Sequence, residues 1–228
     1  MLVNIAKVLD SQQLQQARER LETAGDAWVD GRVTAGHQGA RVKNNQQIAE
    51  NSAVARDLGN VILAALERNP LFISAALPNR VYPPMFNRYE TGMTFGSHVD
   101  GSIRMLPGSP EKIRTDISAT LFLAAPEEYD GGELVIEDTY GTHSIKLPAG
   151  DMILYPASSL HRVMPVTRGV RLASFFWVQS LVRDDTQRTL LYDLDRSVQQ
   201  LNVTNADENA RIQLTGCYHN LLRMWGEP

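Results

Sequence analysis

The middle of this chain does most to limit its fold. Between residues 78 and 180 it breaks into short apolar runs separated by turn residues. Strand-like runs fall at 85–89, 118–123, 133–138, 143–147, 151–155, 162–166 and 170–178. The turns carry Gly131-Gly132, Tyr140-Gly141 and Ala149-Gly150. Short strands at this spacing indicate an all-β sandwich or jelly roll. In the last run, alternation puts Arg171, Ala173, Phe175 and Trp177 on one face.

Helical patterns flank this region. Residues 2–8 read as a short strand. A helix is expected from Asp10 or Ser11 to about Ala24, with Leu14, Ala17 and Leu21 on one face. The glycine-rich stretch 31–39 reads as a loop. A second helix is expected from about 45 to 68, with Pro70 as its stop. Beyond residue 180, helical runs extend to about 201 and again over 207–225, joined by a loop at 202–205. Leu190, Leu194, Val198 and Leu201 have helical spacing, as do Leu214, Cys217, Leu221 and Met224. The expected organisation is an N-terminal helical support (1–77), a β domain (78–180) and a C-terminal helical hairpin (181–228). That hairpin could pack on itself, cap the β core or form a homo-oligomer surface. The stretch 101–115 is long and rich in Gly and Pro. It is a candidate lid or substrate rim, with Arg104, Lys112 and Arg114 available to an anionic substrate, and a solvated surface loop is the reading for most of its charges.

Composition fits a soluble enzyme. The 228 residues suffice for a real core, and 43% hydrophobic with 21% charged residues excludes a mainly disordered chain. A net charge of −4 argues against a general nucleic-acid or anionic-membrane binder. Cys217 is the only cysteine, so no internal disulfide forms, as suits a reducing compartment. The first ten residues lack a signal-peptide pattern, and no apolar run reaches the roughly 20 residues a membrane helix needs. A cytoplasmic location is expected.

The chemistry concentrates in a few polar residues. His98 and Asp100 stand as H-V-D, read as the end of a strand, where i and i+2 share a face. His161 is the best third ligand. Two His and one carboxylate make the facial triad of non-heme Fe(II) oxygenases, which leaves positions open for co-substrate and dioxygen. Arg171 points into an apolar face and needs an anionic partner, which a dicarboxylic co-substrate would supply. An internal Asp or Glu, or a face open to solvent, is the alternative. Asn87 and Tyr89 precede H-V-D on one face of their strand, within reach of a co-substrate or as core. His37, His143 and His219 are expected to be non-catalytic, with His143 the one rival ligand. Cys217 is expected on a buried helical face.

Five segments in fixed order carry a family resemblance. They are N-R-Y-E-T-G-M-T-F-G-S-H-V-D, R-T-D-I-S-A-T-L-F-L, Y-D-G-G-E-L, P-A-G-D-M-I-L-Y-P and L-H-R-V-M-P-V-T-R-G-V-R. Together they resemble the bacterial PKHD-type hydroxylases of the Fe(II)/2-oxoglutarate dioxygenase superfamily, relatives of the prolyl 4-hydroxylases. The resemblance implies a double-stranded β-helix core. It implies Fe(II) on His98, Asp100 and His161, and the distal carboxylate of 2-oxoglutarate on Arg171. It also implies hydroxylation by dioxygen of a prolyl or lysyl residue or a small molecule, dependence on L-ascorbate, and a place in iron uptake or homeostasis. A non-catalytic iron/2-oxoglutarate sensor and a cupin-type metalloenzyme of another reaction are the alternatives.

Overall fold

The computed structural model describes every residue except Tyr140, Asn205 and Ala206. β1 (Val3–Ile5) leads into α1 (Ser11–Glu22). Asp10 starts that helix with a capping box: its carboxylate accepts from the Gln13 amide at 2.8 Å, and the Gln13 side chain accepts from the Asp10 amide. β2 (Trp28–Asp30), α2 (His37–Val42), β3 (Lys43–Asn44) and β4 (Gln46–Ile48) follow. Here two expectations fail. The stretch 31–39 is not an open loop, because its end coils into α2. The helix expected from 45 is a strand at its start, because residues 46 and 47 find backbone partners in a later strand. The helix itself, α3 (Ala53–Glu67), begins after Ser52, whose hydroxyl accepts from the Ala55 amide. Pro70 does not merely stop α3. It opens α4 (Pro70–Ala76) from the first turn, where a missing N–H is harmless.

The β part comprises β5 (Pro78–Val81), β6 (Met85–Tyr89), β7 (Thr94–His98), β8 (Ile103–Met105), β9 (Lys112–Arg114) and β10 (Ile117–Phe122). It continues with β11 (Tyr129–Gly131), β12 (Leu134–Asp138), β13 (Gly141–Ile145), β14 (Met152–Pro156), β15 (Leu160–Val163), β16 (Val166–Gly169) and β17 (Arg171–Ser180). The stretch 101–115 is more ordered than expected, since β8 and β9 pair as a hairpin. The expected turn at Tyr140 and the end of the expected loop at Asn205 lie outside the described residues. The chain finishes with α5 (Asp185–Val203), capped by Asp184, and α6 (Glu208–Trp225), capped by Asp207.

Two antiparallel sheets face each other. The larger runs β1-β14-β10-β17-β6-β4-β2, with β5 also paired to β17; the smaller runs β13-β12-β15-β7-β3. Strand periodicity sorts the larger sheet into two apolar faces. Ile117, Ala119 and Leu121 of β10, with Met152 and Leu154 of β14, pack against Ala17, Leu21, Leu58, Ile62 and Phe72 of the helices. Phe122, Ile153 and Tyr155 point the other way, onto Leu134, Ile136 and Val163 of the smaller sheet. The larger sheet is thus covered by helices on one side and by a second sheet on the other. The molecule is a mainly β jelly roll with N-terminal helices against it and a C-terminal helical extension.

The C-terminal helices pack on each other. Leu191, Tyr218, Leu221, Leu222 and Trp225 join Leu77 and Val182. The half-buried stripe of α6 is Tyr218, Leu221, Leu222 and Trp225, so Cys217 falls off it and is exposed, contrary to expectation. No helix among the described residues is long and apolar enough to cross a membrane.

Two glycines close the sandwich where chain segments nearly touch. Gly131 has φ +69°, and a Cβ there would lie 2.1 Å from the Pro165 carbonyl oxygen. Gly169 has φ +72°, with the Glu128 carbonyl equally close. Gly216, by contrast, is helical with open space around it. Urea denaturation is therefore expected to show Gly131→Ala losing about 2 kcal/mol or more, from the positive φ and the backbone clash. Gly216→Ala should gain about 0.5–1 kcal/mol from helix propensity alone.

Candidate active site

The site lies between the two sheets. β7 and β15 are neighbours in the smaller sheet, and their register sets His98 directly opposite His161. Asp100 is not placed by strand alternation as expected, because β7 ends at His98. A tether to the larger sheet holds it instead: Ser118 Oγ on β10 donates to Asp100 Oδ2 at 2.6 Å. His98 Nε2 lies 4.0 Å from Asp100 Oδ1, and His161 Nε2 lies 3.7 Å from Asp100 Oδ2. One donor atom from each of the three residues lies within 4.8 Å of the others, and no other such cluster of His, Cys, Asp and Glu occurs among the described residues.

Backbone carbonyls fix the two imidazoles. His98 Nδ1 donates to the Gly96 carbonyl at 2.8 Å, and His161 Nδ1 donates to the Ser159 carbonyl at 3.0 Å. Each Nε2 then presents a lone pair toward Asp100, the arrangement typical of metal-ligating His. Phe95 stacks on His98 with ring centroids 3.6 Å apart, and Tyr155 sets its ring at 67° to His161. Burial, with His161 close by, holds the His98 pKa well below its usual 6.5. Two imidazole nitrogens with one carboxylate suit a divalent transition ion and leave coordination positions free.

Arg171 opens β17 and is 1% exposed. Its guanidinium carbon sits 5.3 Å from the ring centroids of both Tyr89 and Phe122. Nε and Nη1 have no hydrogen-bond partner, and no carboxylate among the described residues forms an ion pair with it. Gly132 makes room for it: a Cβ there would press on Arg171 Cδ at 3.2 Å. Tyr89 and Asn87 sit beside it, opposite Arg171 and Ala173 in the sheet register. Both are buried, and the Asn87 carbonyl oxygen lacks a partner. Burial pushes the Tyr89 pKa up to about 12, so its hydroxyl keeps its proton. One cavity of 540 Å³ includes the triad, Arg171, Tyr89 and Asn87 in its walls, a size suited to small-molecule ligands.

The other histidines lie apart from the triad. His143 is on the outer strand of the smaller sheet and bonds Asp138 at 2.8 Å. His37 reaches the cavity from α2 but contacts Arg41. Sequence reading missed Ser118, Phe95, Tyr155 and Lys43. Ser118 was legible, since it alternates with the apolar Ile117 and Ala119 of β10. Lys43 carried no signal. It is 6% exposed in a two-residue strand, and burial lowers its pKa to about 8.

Comparison with known proteins agrees with this geometry. Residues 84–179 match the 2OG-Fe(II) oxygenase superfamily, the class to which a jelly roll with a His-Asp-His cluster points. A Pseudomonas putida prolyl-4-hydroxylase has a similar fold, with a TM-score of 0.52 at 19% identity over 78% of this chain and 92% of that one. HygX from Streptomyces hygroscopicus, crystallised with nickel and 2-oxoglutarate, gives 0.51 at 15% identity over 78% and 82%. Residues 185–227 match the PKHD-type hydroxylase C-terminal domain. A PKHD-type hydroxylase of Paraburkholderia xenovorans is 69% identical over all 228 residues and the whole of both chains. One from Burkholderia ambifaria is 70% identical over 227 residues, again covering both fully. The chain belongs to the PKHD-type hydroxylases, and is a 2-oxoglutarate-dependent dioxygenase.

The depressed His98 pKa gives stability a pH dependence. Below 6.5 the unfolded chain binds a proton that the folded site resists, so the unfolded state binds more protons and stability falls as pH drops. Metal-free protein is expected to lose urea stability progressively below pH 6.5. The slope should be smaller in His98→Leu; an unchanged slope would exclude His98 as its source.

Proposed function

We propose that His98, Asp100 and His161 hold Fe(II), and that Arg171 binds the distal carboxylate of 2-oxoglutarate. The observation that carries this reading is the buried, acid-free guanidinium in the cavity that also holds the triad. A buried cation without a counter-charge is costly, and a bound dicarboxylate removes the cost through a two-point charge-assisted contact. Tyr89, a protonated phenol, and Asn87, through its side-chain N–H, are placed to donate to the same co-substrate. The N-terminal support, β domain and helical hairpin, divided near 77 and 180, form part of the same proposal.

With Fe(II) and 2-oxoglutarate in place, decarboxylation of the co-substrate supplies the oxidant. The balance is 2-oxoglutarate, dioxygen and a C–H bond giving succinate, carbon dioxide and a C–OH group. The chain's own part is orientation and exclusion of water. Gly96 and Ser159 hold the imidazole tautomers. Ser118 holds the carboxylate. Phe95 and Tyr155 wall the triad from solvent. The substrate is a peptidyl side chain or a small molecule. Ascorbate as the reductant of idle iron, and a role in iron uptake or homeostasis, rest on the family likeness alone.

The test is succinate formation by anaerobically Fe(II)-loaded protein given 2-oxoglutarate and then oxygen. Turnover should vanish in His98→Ala. Calorimetry with Arg171→Met should show 2-oxoglutarate affinity falling by about 3 kcal/mol, roughly a hundredfold or more. The ligand-free variant should melt higher than the wild type, because an unpaired buried charge is gone. Retained affinity in Arg171→Met would remove Arg171 from the co-substrate site. Binding without turnover would point to a sensor.

A further inference from the structure

The cavity has a second cationic corner that the co-substrate does not use. β17 delivers Arg171 at its start and Phe175 and Trp177 four and six residues later on the same face. At about 3.3 Å per residue, the aromatic pair lies more than 10 Å along the strand from Arg171. Two cations cover that pair. The Arg104 guanidinium carbon, from the β8 hairpin, lies 4.2 Å from the Trp177 ring centroid and 5.0 Å from that of Tyr82. The Lys43 ammonium lies 5.8 Å from the Phe175 centroid and 5.0 Å from that of Phe95. Phe95 is the ring that stacks on His98, so Lys43 stands one aromatic ring from the triad.

Neither cation forms an ion pair with a carboxylate among the described residues. Lys43 Nζ donates to Thr34 Oγ1 at 3.2 Å and, with the Gln47 amide turned to satisfy its neighbours, to Gln47 Oε1 at 3.1 Å. A third N–H is left over. The acids whose charge reaches Lys43 are engaged elsewhere: Asp30 binds Arg32, Glu50 accepts from the Tyr82 hydroxyl, and Asp100 belongs to the triad. Arg104 Nε is buried with no partner. The other basic residues of the hairpin differ: Arg114 is tied to Asp116 and Glu227, and Lys112 is exposed. Two cations that repel each other over aromatic rings in one cavity wall call for an anion between them.

We propose that this corner binds the substrate, and that the substrate is a small organic anion, a carboxylate or phosphate joined to an apolar body. Lys43 and Arg104 take the anionic group, and Phe95, Phe175 and Trp177 take the apolar body beside the triad. A lysyl side chain would bring a third positive charge into this corner and is disfavoured. The proposal rests on Arg171 serving the co-substrate.

The test uses protein loaded with Zn(II), a diamagnetic stand-in for iron, and saturated with 2-oxoglutarate. Ligand-observed NMR compares four probes of similar shape: 3-phenylpropionate, 2-phenylethyl phosphate, 3-phenylpropanamide and 3-phenylpropylamine. At least one anion should bind ten times tighter than the amide, and the amine should bind weakest. Which anion wins separates a carboxylate substrate from a phosphate. Lys43→Met and Arg104→Met should each remove the preference at least tenfold while 2-oxoglutarate affinity, measured by calorimetry, stays within threefold. Lys43→Met should melt no lower than the wild type, which separates lost binding from lost fold. The proposal is overturned if the amide or amine binds as well as the anions, if no anion binds, or if both variants keep the preference. Failure of 2-oxoglutarate to bind the wild type would instead overturn the reading of Arg171.

Discussion

The structure depends on burying both faces of one antiparallel sheet. β10, β14 and β17 alternate strictly, sending Ile117, Leu121, Met152 and Leu154 to the helices and Phe122, Ile153 and Tyr155 to the smaller sheet. Because a strand's period is two, a slip of one residue would exchange these faces and pull Arg171 out of the cavity. The site therefore inherits its accuracy from the core. Ser118 reaches Asp100 only because Ile117 and Ala119 are locked against the helices.

That rigid frame carries charges that work against folding. Arg171 and Lys43 are buried cations without acid partners, and His98 is held neutral by its surroundings. The two cations lower the stability of the ligand-free protein, and His98 does so below pH 6.5; each would be relieved by something bound: a metal on the imidazole, an anion on the cations. Groups of this kind mark binding sites because packing alone does not select them. Salt bridges such as Arg18–Glu128 and Arg168–Asp130 are a contrast, since they lie at the surface with satisfied partners and contribute little.

Sequence reading succeeded where local pattern and final environment agree. The β6, β10, β14 and β17 strands, the Asp10 cap and the two C-terminal helices were visible because periodicity and capping are local. It failed over 31–52, where α2 and β4 form in a stretch whose neighbours are far along the chain. Residues 46 and 47 become strand because β6 offers free backbone groups at that edge. Asn69-Pro70 carries two local meanings, since a proline after one helix marks its end while an asparagine cap with proline in the first turn starts another, and packing selects the second. Cys217 has the spacing of a helical stripe, but α6 turns a stripe rotated by about one position, half-buried, toward α5.

The sequence by itself determined the candidate ligand types, the jelly-roll class and the family, because residue identity, strand period and motif order are properties of the chain. Only the tertiary structure decided how those residues meet. It set His161 opposite His98 across a strand pair, tied Asp100 to Ser118 rather than to its own strand, and left Arg171 without an acid. It also brought Lys43 from residue 43 and Arg104 from a distant hairpin onto the same aromatic wall. The physical reason is that a charge is defined functionally by what surrounds it, and those surroundings come from segments that the sheet register joins across long stretches of chain.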